Sequence, residues 1–434
     1  DDATGIQGEL DEEGLLAGIA LDTDGDAQYD DETLTIERDH AAGLVTGTTL
    51  GAVSTETTYS ELGAVKKYTA KYAGTTFYEY EIGDEGLNDP GRDKAGRITR
   101  RKETARPCAG GNPALTTYQY GYDSLGRLTA VTVNGGVPTA YGYDLNGNRL
   151  DWAVDNQDRI VPAAGLYTYD DRGDVIAKAD AVHGDLTLLY DALGNLTGVD
   201  VDRPAPQPDS QVRYLIDPLS RRFGKRAQTG GVPLTLQGGL LFQDRLRPAA
   251  ELDETGTAIH HFVWATRTNI PDLFIDTSGE DPVLYRIIPD HLGSPRYVVR
   301  VDAATLDAAI VQCIEYATWG EVQTEELEGT RPLPFGFAGG LYDRDTRLLR
   351  FGARDYDPET GRWLAKDPIL FGGGDINLYG YVMGDPVNFV DISGLYVETP
   401  IDIGSAVIDL GLYAYHYYTG QSTGDDMLAI GSDI

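Results

Sequence analysis

The run DPVNFVDISGLYVETP, residues 385 to 400, crowds Asp, Pro, Gly and Leu together, and the chain changes character from Tyr396 onward. Elsewhere, residues fit for chemistry are sparse. LDTDGDAQYDDE (21–32) stacks Asp22, Asp24 and Asp26 in the manner of a calcium loop. Such a loop needs Gly at its sixth position and a bidentate Glu at its twelfth, and those positions hold Ala27 and Thr33. An acidic turn is the expectation instead. The six His residues are scattered; His260-His261 and His416 read as packing or surface residues before metal ligands. Cys108 and Cys313 are too few for a disulfide framework, and one bridge or two free thiols both fit. There is no CxxC and no GxSxG turn, although a Ser-His-Asp set without that turn stays open. No metal and no other cofactor is implied.

The elements that would position such residues follow from composition. The chain has 434 residues, 41% hydrophobic and 24% charged, as in globular proteins. Gly, at 53, is abundant, and Tyr, at 27, far outnumbers Phe at 10 and Trp at 4. Gly breaks helices and aromatics favour strands, so strands are expected. With no Met at position 1, a fragment or processed product is expected. The net charge of −34 repels phosphate backbones, which argues against nucleic-acid binding and against a polybasic membrane anchor. It suits solubility or a saline habitat, and secondarily a basic cargo. No stretch reaches 18 uncharged apolar residues, so no transmembrane helix is expected.

Self-similarity is pronounced. YQYGYDSLGRLTAV (118–131), YGYDLNGNRLDWAV (141–154), YTYDDRGDVIAKAD (167–180) and LLYDALGNLTGVDV (189–202) align, with Tyr-Asp pairs at 122–123, 143–144, 169–170 and 190–191. Degenerate copies stand at 58–72, 93–103 and 214–226. Each unit predicts a hairpin. Tyr118, Tyr120 and Tyr122 share one strand face at period two, Asp123 starts a turn, and Gly126 takes its positive φ. Hairpins without intervening helices give antiparallel sheet, whose free edges call for curling or capping. The Tyr stripes read as sheet packing before sugar-binding platforms.

These units resemble the YD repeats of the Rhs family, with its relatives among wall-associated proteins, toxin-complex C subunits and teneurins. LTIERDHAAGLVTGTTLG (34–51) is similar to the segment before the last repeats. IIPDHLGSPRYVV (287–299), PFGFAGGLYDRDTRLLRFGARDYDPETGRWLAKDPI (334–369) and INLYGYVMGDPVNFVD (376–391) resemble the Rhs core-associated domain. The resemblance implies an all-β fold in which YD-repeat hairpins spiral into a hollow shell. It implies a repeat shell over 1–230, continuing strands over 231–333, a core-associated domain over 334–395, and the start of a variable cargo over 396–434, where a short helical tail is expected at 405–420 and at DDMLAI. It also implies self-cleavage after the Leu of a DPxGL-type motif, here Asp391, Ile392, Ser393, Gly394 and Leu395, so that the scissile bond is Leu395–Tyr396. An acyl shift would need Ser, Thr or Cys after that bond. The family's aspartyl-protease-like pair falls on Asp367 and Asp391, and its cleavage arginine on Arg354. Without the resemblance, Asp before Pro or Gly is a turn residue and Arg354 a salt-bridge residue. The chain departs from the family at Ile392, where the motif has Pro, and at Leu370, where it has Gly. The implied function is that of a polymorphic toxin of bacterial competition, a secreted or cell-surface bacterial shell that encloses and delivers its own C-terminal toxin polypeptide, with a secretion-system spike or other delivery component as a further partner and self-association as a further expectation. The alternative is a structural, adhesive or filament-forming surface protein with vestigial cleavage.

Overall fold

A computed structural model describes residues 5–398 except 12–13, 23–31, 40, 88, 162–165 and 330. The helices expected after 405, His416, and the middle of LDTDGDAQYDDE lie outside the described residues.

Among the described residues the strands form three antiparallel sheets, each in chain order. The first has eleven strands, from Gly5–Leu10 to Thr139–Ala140. The second has fourteen, from Tyr167–Tyr169 to Val322–Leu327, and runs through residue 230 without a break. The third has four, from Leu341–Asp343 to Arg362–Trp363. The only α-helix among the described residues is the single turn Leu306–Ala309.

The repeat works through its Asp. Oδ1 of Asp123 accepts the N–H groups of Leu125 and Arg127 at 2.9 and 3.0 Å, and Oδ2 takes Arg127 Nε at 2.7 Å. This Asx-type turn fixes the hairpin, with Gly126 at φ 92°. Arg127 then lies 4.6 Å over the Tyr143 ring of the next unit, whose hydroxyl donates back to Leu128 O at 2.8 Å. The conspicuous Tyr, Asp and Arg therefore bind this unit to the next, and Arg97 over the Tyr122 ring does the same one unit earlier.

One expected hairpin is not one. In YGYDLNGNRLDWAV (141–154) the strands shrink to the isolated bridge Tyr143↔Arg149, and the first sheet ends before it. The turn itself keeps its Asp-centred bonds, with Asp144 Oδ1 accepting the N–H groups of Asn146 and Asn148, both at 2.9 Å, but further groups reach the C-terminal part of the chain. Buried Asn148 accepts from Arg362 Nη1 and from Asn377 Nδ2, both at 2.7 Å, and Arg149 stacks on Trp319. Cross-strand pairing is lost where the residues around Arg362 and Asn377 dock.

The first and second sheets share a core in which Phe77 and Tyr78 meet Tyr297 at ring distances of 5.4 and 5.5 Å. Cys108 and Cys313 form a disulfide joining the turn after the strand Arg100–Ala105 to the strand Ile310–Tyr316, which decides between the two states open from sequence. The third sheet packs Phe351, Tyr356, Trp363 and Tyr381 into an aromatic cluster, with Tyr356 and Tyr381 4.5 Å apart. Trp363 of that cluster lies under Arg354 of the candidate site.

Candidate functional site

Every side chain of the strand Arg354–Asp357 is buried, because the third sheet is covered on both faces. Adjacent residues therefore enter different buried networks. Asp355 binds Arg222 and Arg350 at 2.7 and 2.8 Å. Arg354 faces the other way, its guanidinium 4.1 Å from the Trp363 ring centre. Its Nε donates to Gly394 O at 2.6 Å, and its Nη2 reaches Asp367 Oδ2 at 3.0 Å and Asp391 Oδ2 at 3.1 Å. One planar, permanently charged group thus holds two carboxylates and the backbone beside the Leu395–Tyr396 bond.

Each Asp also organises a turn. Oδ1 of Asp367 accepts Ile369 N–H at 2.9 Å, and its carbonyl accepts Leu370 N–H. Leu370 sits there at φ 53°, the left-handed region where glycine carries no penalty. Oδ1 of Asp391 accepts Leu395 N–H at 2.9 Å, Tyr396 N–H at 3.2 Å and the Ser393 hydroxyl at 3.2 Å. Ala353 N–H donates to Ser393 O at 2.9 Å, strapping this turn to the third sheet. Val390 and Glu398 exchange both backbone hydrogen bonds, at 2.9 and 2.7 Å. Residues 391–397 form a loop closed at its base, with the Leu395–Tyr396 bond inside it.

Gly373 completes the geometry. A Cβ there would stand 2.8 Å from both Asp367 Oδ2 and the Leu395 carbonyl oxygen. The missing side chain lets the carboxylate and the carbonyl converge on one point. A cavity of about 590 Å³ reaches this region, with Arg354, Asp367, Ile392 and Leu395 in its wall. It is large enough to bring water to the bond.

Burial sets the electrostatics. It pushes the Asp391 carboxyl up to about 6, against the opposing pull of Arg354 and of the Leu395 and Tyr396 amides. It raises Asp367 as well, again opposed by Arg354. Asp375, at the edge of the site, is raised by burial too. Glu398 is pushed up to about 8 by burial and by the neighbouring Asp391 charge. One guanidinium cannot neutralise so many carboxylates, so the arrangement favours one ionised and one protonated member of the Asp367–Asp391 pair. That is the equipment for activating a water and protonating a leaving amine.

The five residues singled out in sequence thus lie around one bond. Sequence reasoning missed Gly373, Asp375 and Glu398, for which no local motif exists. The Gly expected at Leu370 was a signal for the positive φ. His260 is buried between Glu251 and Asp276, which together hold its imidazole up to about 9 despite burial; it is an ion-pairing residue. Among the described residues no cluster of His, Cys, Asp or Glu is arranged to hold a metal. None of their helices is long and apolar enough to cross a membrane.

The Teneurin YD-shell family profile matches residues 30–387. Teneurin-3 of Danio rerio is 29% identical over 357 residues, 76% of this chain and 12% of that protein. Double-stranded DNA deaminase toxin A of Burkholderia cenocepacia (strain H111) is 25% identical over 339 residues, 70% of this chain and 22% of that protein. The crystal structure of TcdB2-TccC3 superposes with a TM-score of 0.68 at 18% identity, covering 90% of this chain and 21% of that chain. The chain therefore spans between 12% and 22% of the length of these relatives, and the structural likeness shows the fold.

Proposed function

The chain belongs to the teneurin YD-shell family, and we propose that it forms the closing part of a β-shell that encloses the polypeptide after Leu395 and severs it from the shell at Leu395–Tyr396. The observation that carries this reading is the convergence on that bond. Arg354 Nη2 bridges Asp367 and Asp391, while Asp391 Oδ1 holds the amide nitrogen of Tyr396.

In this mechanism ionised Asp367 takes a proton from a water as the water oxygen adds to the Leu395 carbonyl carbon. Protonated Asp391 then gives its proton to the Tyr396 nitrogen as the carbon–nitrogen bond breaks. The products are the Leu395 carboxyl and the Tyr396 amine, and one proton remains shared by the pair. Arg354 balances one negative charge throughout and fixes both carboxylates in place. Gly373 leaves room for the carbonyl.

The kinship with a protein named as a toxin supports a toxic cargo. In this reading the shell acts outside the producing cell, secreted or on its surface, and delivers the cargo in bacterial competition, on a secretion-system spike or another delivery component. The test is intact mass spectrometry under denaturing conditions on the chain and on Asp367→Asn. A break between Leu395 and Tyr396 in the first and not in the second supports the reading. One uncut mass for both overturns self-cleavage and moves the weight to a structural surface protein.

A further inference from the structure

A second, much smaller cavity lies against the first, sharing Arg354, Asp367, Leu370 and Leu395 with it. It measures about 20 Å³, and Gly373 and Asp391 complete its wall on the side of the Leu395–Tyr396 bond. One water needs roughly 10–15 Å³ and two to four polar partners. The space therefore suits a single water between the two carboxylates and the Leu395 carbonyl.

One more carboxylate stands in that wall, Asp375. Its Oδ1 accepts the Asn377 N–H at 2.9 Å, which holds the turn leading into Leu378. A Cβ at Gly380 would stand 2.9 Å from its Oδ2, so glycine there admits the Asp375 carboxylate as Gly373 admits that of Asp367. The Asp375 charge is near enough to act on both Arg354 and Asp367. Arg354 Nη2 is engaged by Asp367 and Asp391, and among the described residues Asp375 has no ion-pair partner.

A water that gives one hydrogen to Asp367 has a second to place, and a buried O–H left without an acceptor costs free energy. Asp391 is already occupied. Its Oδ1 accepts from Leu395, Tyr396 and Ser393, and its Oδ2 is held by Arg354.

We propose that Asp375 is a positioning residue whose Oδ2 accepts the second hydrogen of the attacking water and so aims the water oxygen at the Leu395 carbonyl carbon. This deepens the reading of Leu395–Tyr396 as the severed bond and rests on it. Asp375 exchanges no proton. One water proton goes to Asp367, the water oxygen bonds to the Leu395 carbon, and the Asp391 proton goes to the Tyr396 nitrogen as the carbon–nitrogen bond breaks.

The experiment compares cleavage of the unsubstituted chain and of Asp375→Asn after refolding, by denaturing mass spectrometry across pH. The substitution keeps an oxygen for the Asn377 N–H and puts an NH₂ group where Oδ2 stood, so the turn stays and the acceptor is lost. Cleavage should slow about ten- to hundred-fold, with a urea midpoint no lower than that of the unsubstituted chain. The acid-side limb of the rate profile should also move to lower pH, because Asp367 loses a neighbouring negative charge that raises it. A residue that only holds its turn would move neither readout. Equal rates, or slow cutting with an unmoved limb, overturn the proposal and leave the cleavage reading standing. An unsubstituted chain that never cuts overturns the cleavage reading, and the role of Asp375 falls with it. A crystal structure of the uncut Asp391→Asn chain covers the case in which Asp375→Asn fails to fold: one ordered water in contact with Asp367 and Asp375 supports the proposal, and a site without that water overturns it.

Discussion

The amide nitrogen of Tyr396 lies 3.2 Å from Oδ1 of Asp391, five residues upstream. A turn-capping contact of this kind ordinarily serves only to hold a turn. Here it sets a buried carboxyl, raised to about 6 by burial, against the nitrogen that would leave in the proposed cleavage of Leu395–Tyr396. In the proposed mechanism turn formation and proton delivery would use the same oxygen.

Replacing either member of the pair should separate these roles. Asp391→Asn keeps an acceptor for the Leu395 and Tyr396 amides but has no acidic proton, and Asp367→Asn cannot take a proton from water. Each should slow cleavage by about 10²–10⁴-fold with the fold intact. The cut fraction over time after refolding, read by denaturing mass spectrometry, is the measurement.

Cleavage should depend on pH in a definite direction. Asp391 is raised from 3.8 to about 6, so its proton is present below about 6 and lost above it. The cleavage rate should therefore fall, approaching tenfold per pH unit, as pH rises beyond about 6. The same shift means that Asp391 costs folding stability progressively as pH rises from 3.8 to about 6. Rates measured between pH 5 and 8 after refolding check the first statement, and urea midpoints between pH 4 and 6.5 check the second.

Gly373→Ala should separate packing from catalysis. The added methyl would stand 2.8 Å from Asp367 Oδ2 and from the Leu395 carbonyl oxygen, so one of them must move. Displacing a reacting group by a few tenths of an ångström to one ångström costs up to about 10²-fold in rate. The expected result is slow cleavage with an unchanged circular dichroism spectrum.

Leu370→Gly should have the opposite sign. Leu370 holds φ 53° with its side chain 55% exposed, so its conformation costs energy that burial does little to offset. Glycine there should stabilise the chain by about 0.5–1 kcal/mol and leave cleavage no slower. Urea unfolding of both chains gives the first quantity and mass spectrometry the second.

What the sequence disclosed was local. The period-two tyrosines, the Asp-x-x-Gly turns and the positive φ at Gly126 follow from a few adjacent residues, and the hairpins of 118–131 and 189–202 formed accordingly. The unit at 141–154 has the same local pattern but makes long-range contacts with Arg362, Asn377 and Trp319, and there the sheet does not continue. The site shows the same division. Asp367, Asp391 and Arg354 carry motifs, so resemblance could point to them. Gly373 and Glu398 carry none, since what they do depends on how distant turns meet. The pairing of Cys108 with Cys313 is of that second kind, at a sequence separation of 205.

Reduction should expose how much that pairing contributes. Closing a loop of 205 residues restricts the unfolded chain by up to about 5 kcal/mol on the chain-entropy account. Calorimetry with and without reductant should show a clear drop in the unfolding temperature, matched by Cys108→Ala in the absence of reductant.

The disulfide also has a mechanical meaning. A pull applied at the two ends of the chain travels through the sulfur–sulfur bond and bypasses the 205-residue interval it spans. Roughly 70 nm of contour, at about 3.4 Å per residue over those 205 residues, cannot be drawn out while the bridge is intact. The site at Arg354 lies beyond the bridge, on the stretch that does bear load. Tension would therefore reach the junction while the strands between Cys108 and Cys313 stay wound, so that one covalent link divides the molecule into a part that can be drawn out and a part that cannot.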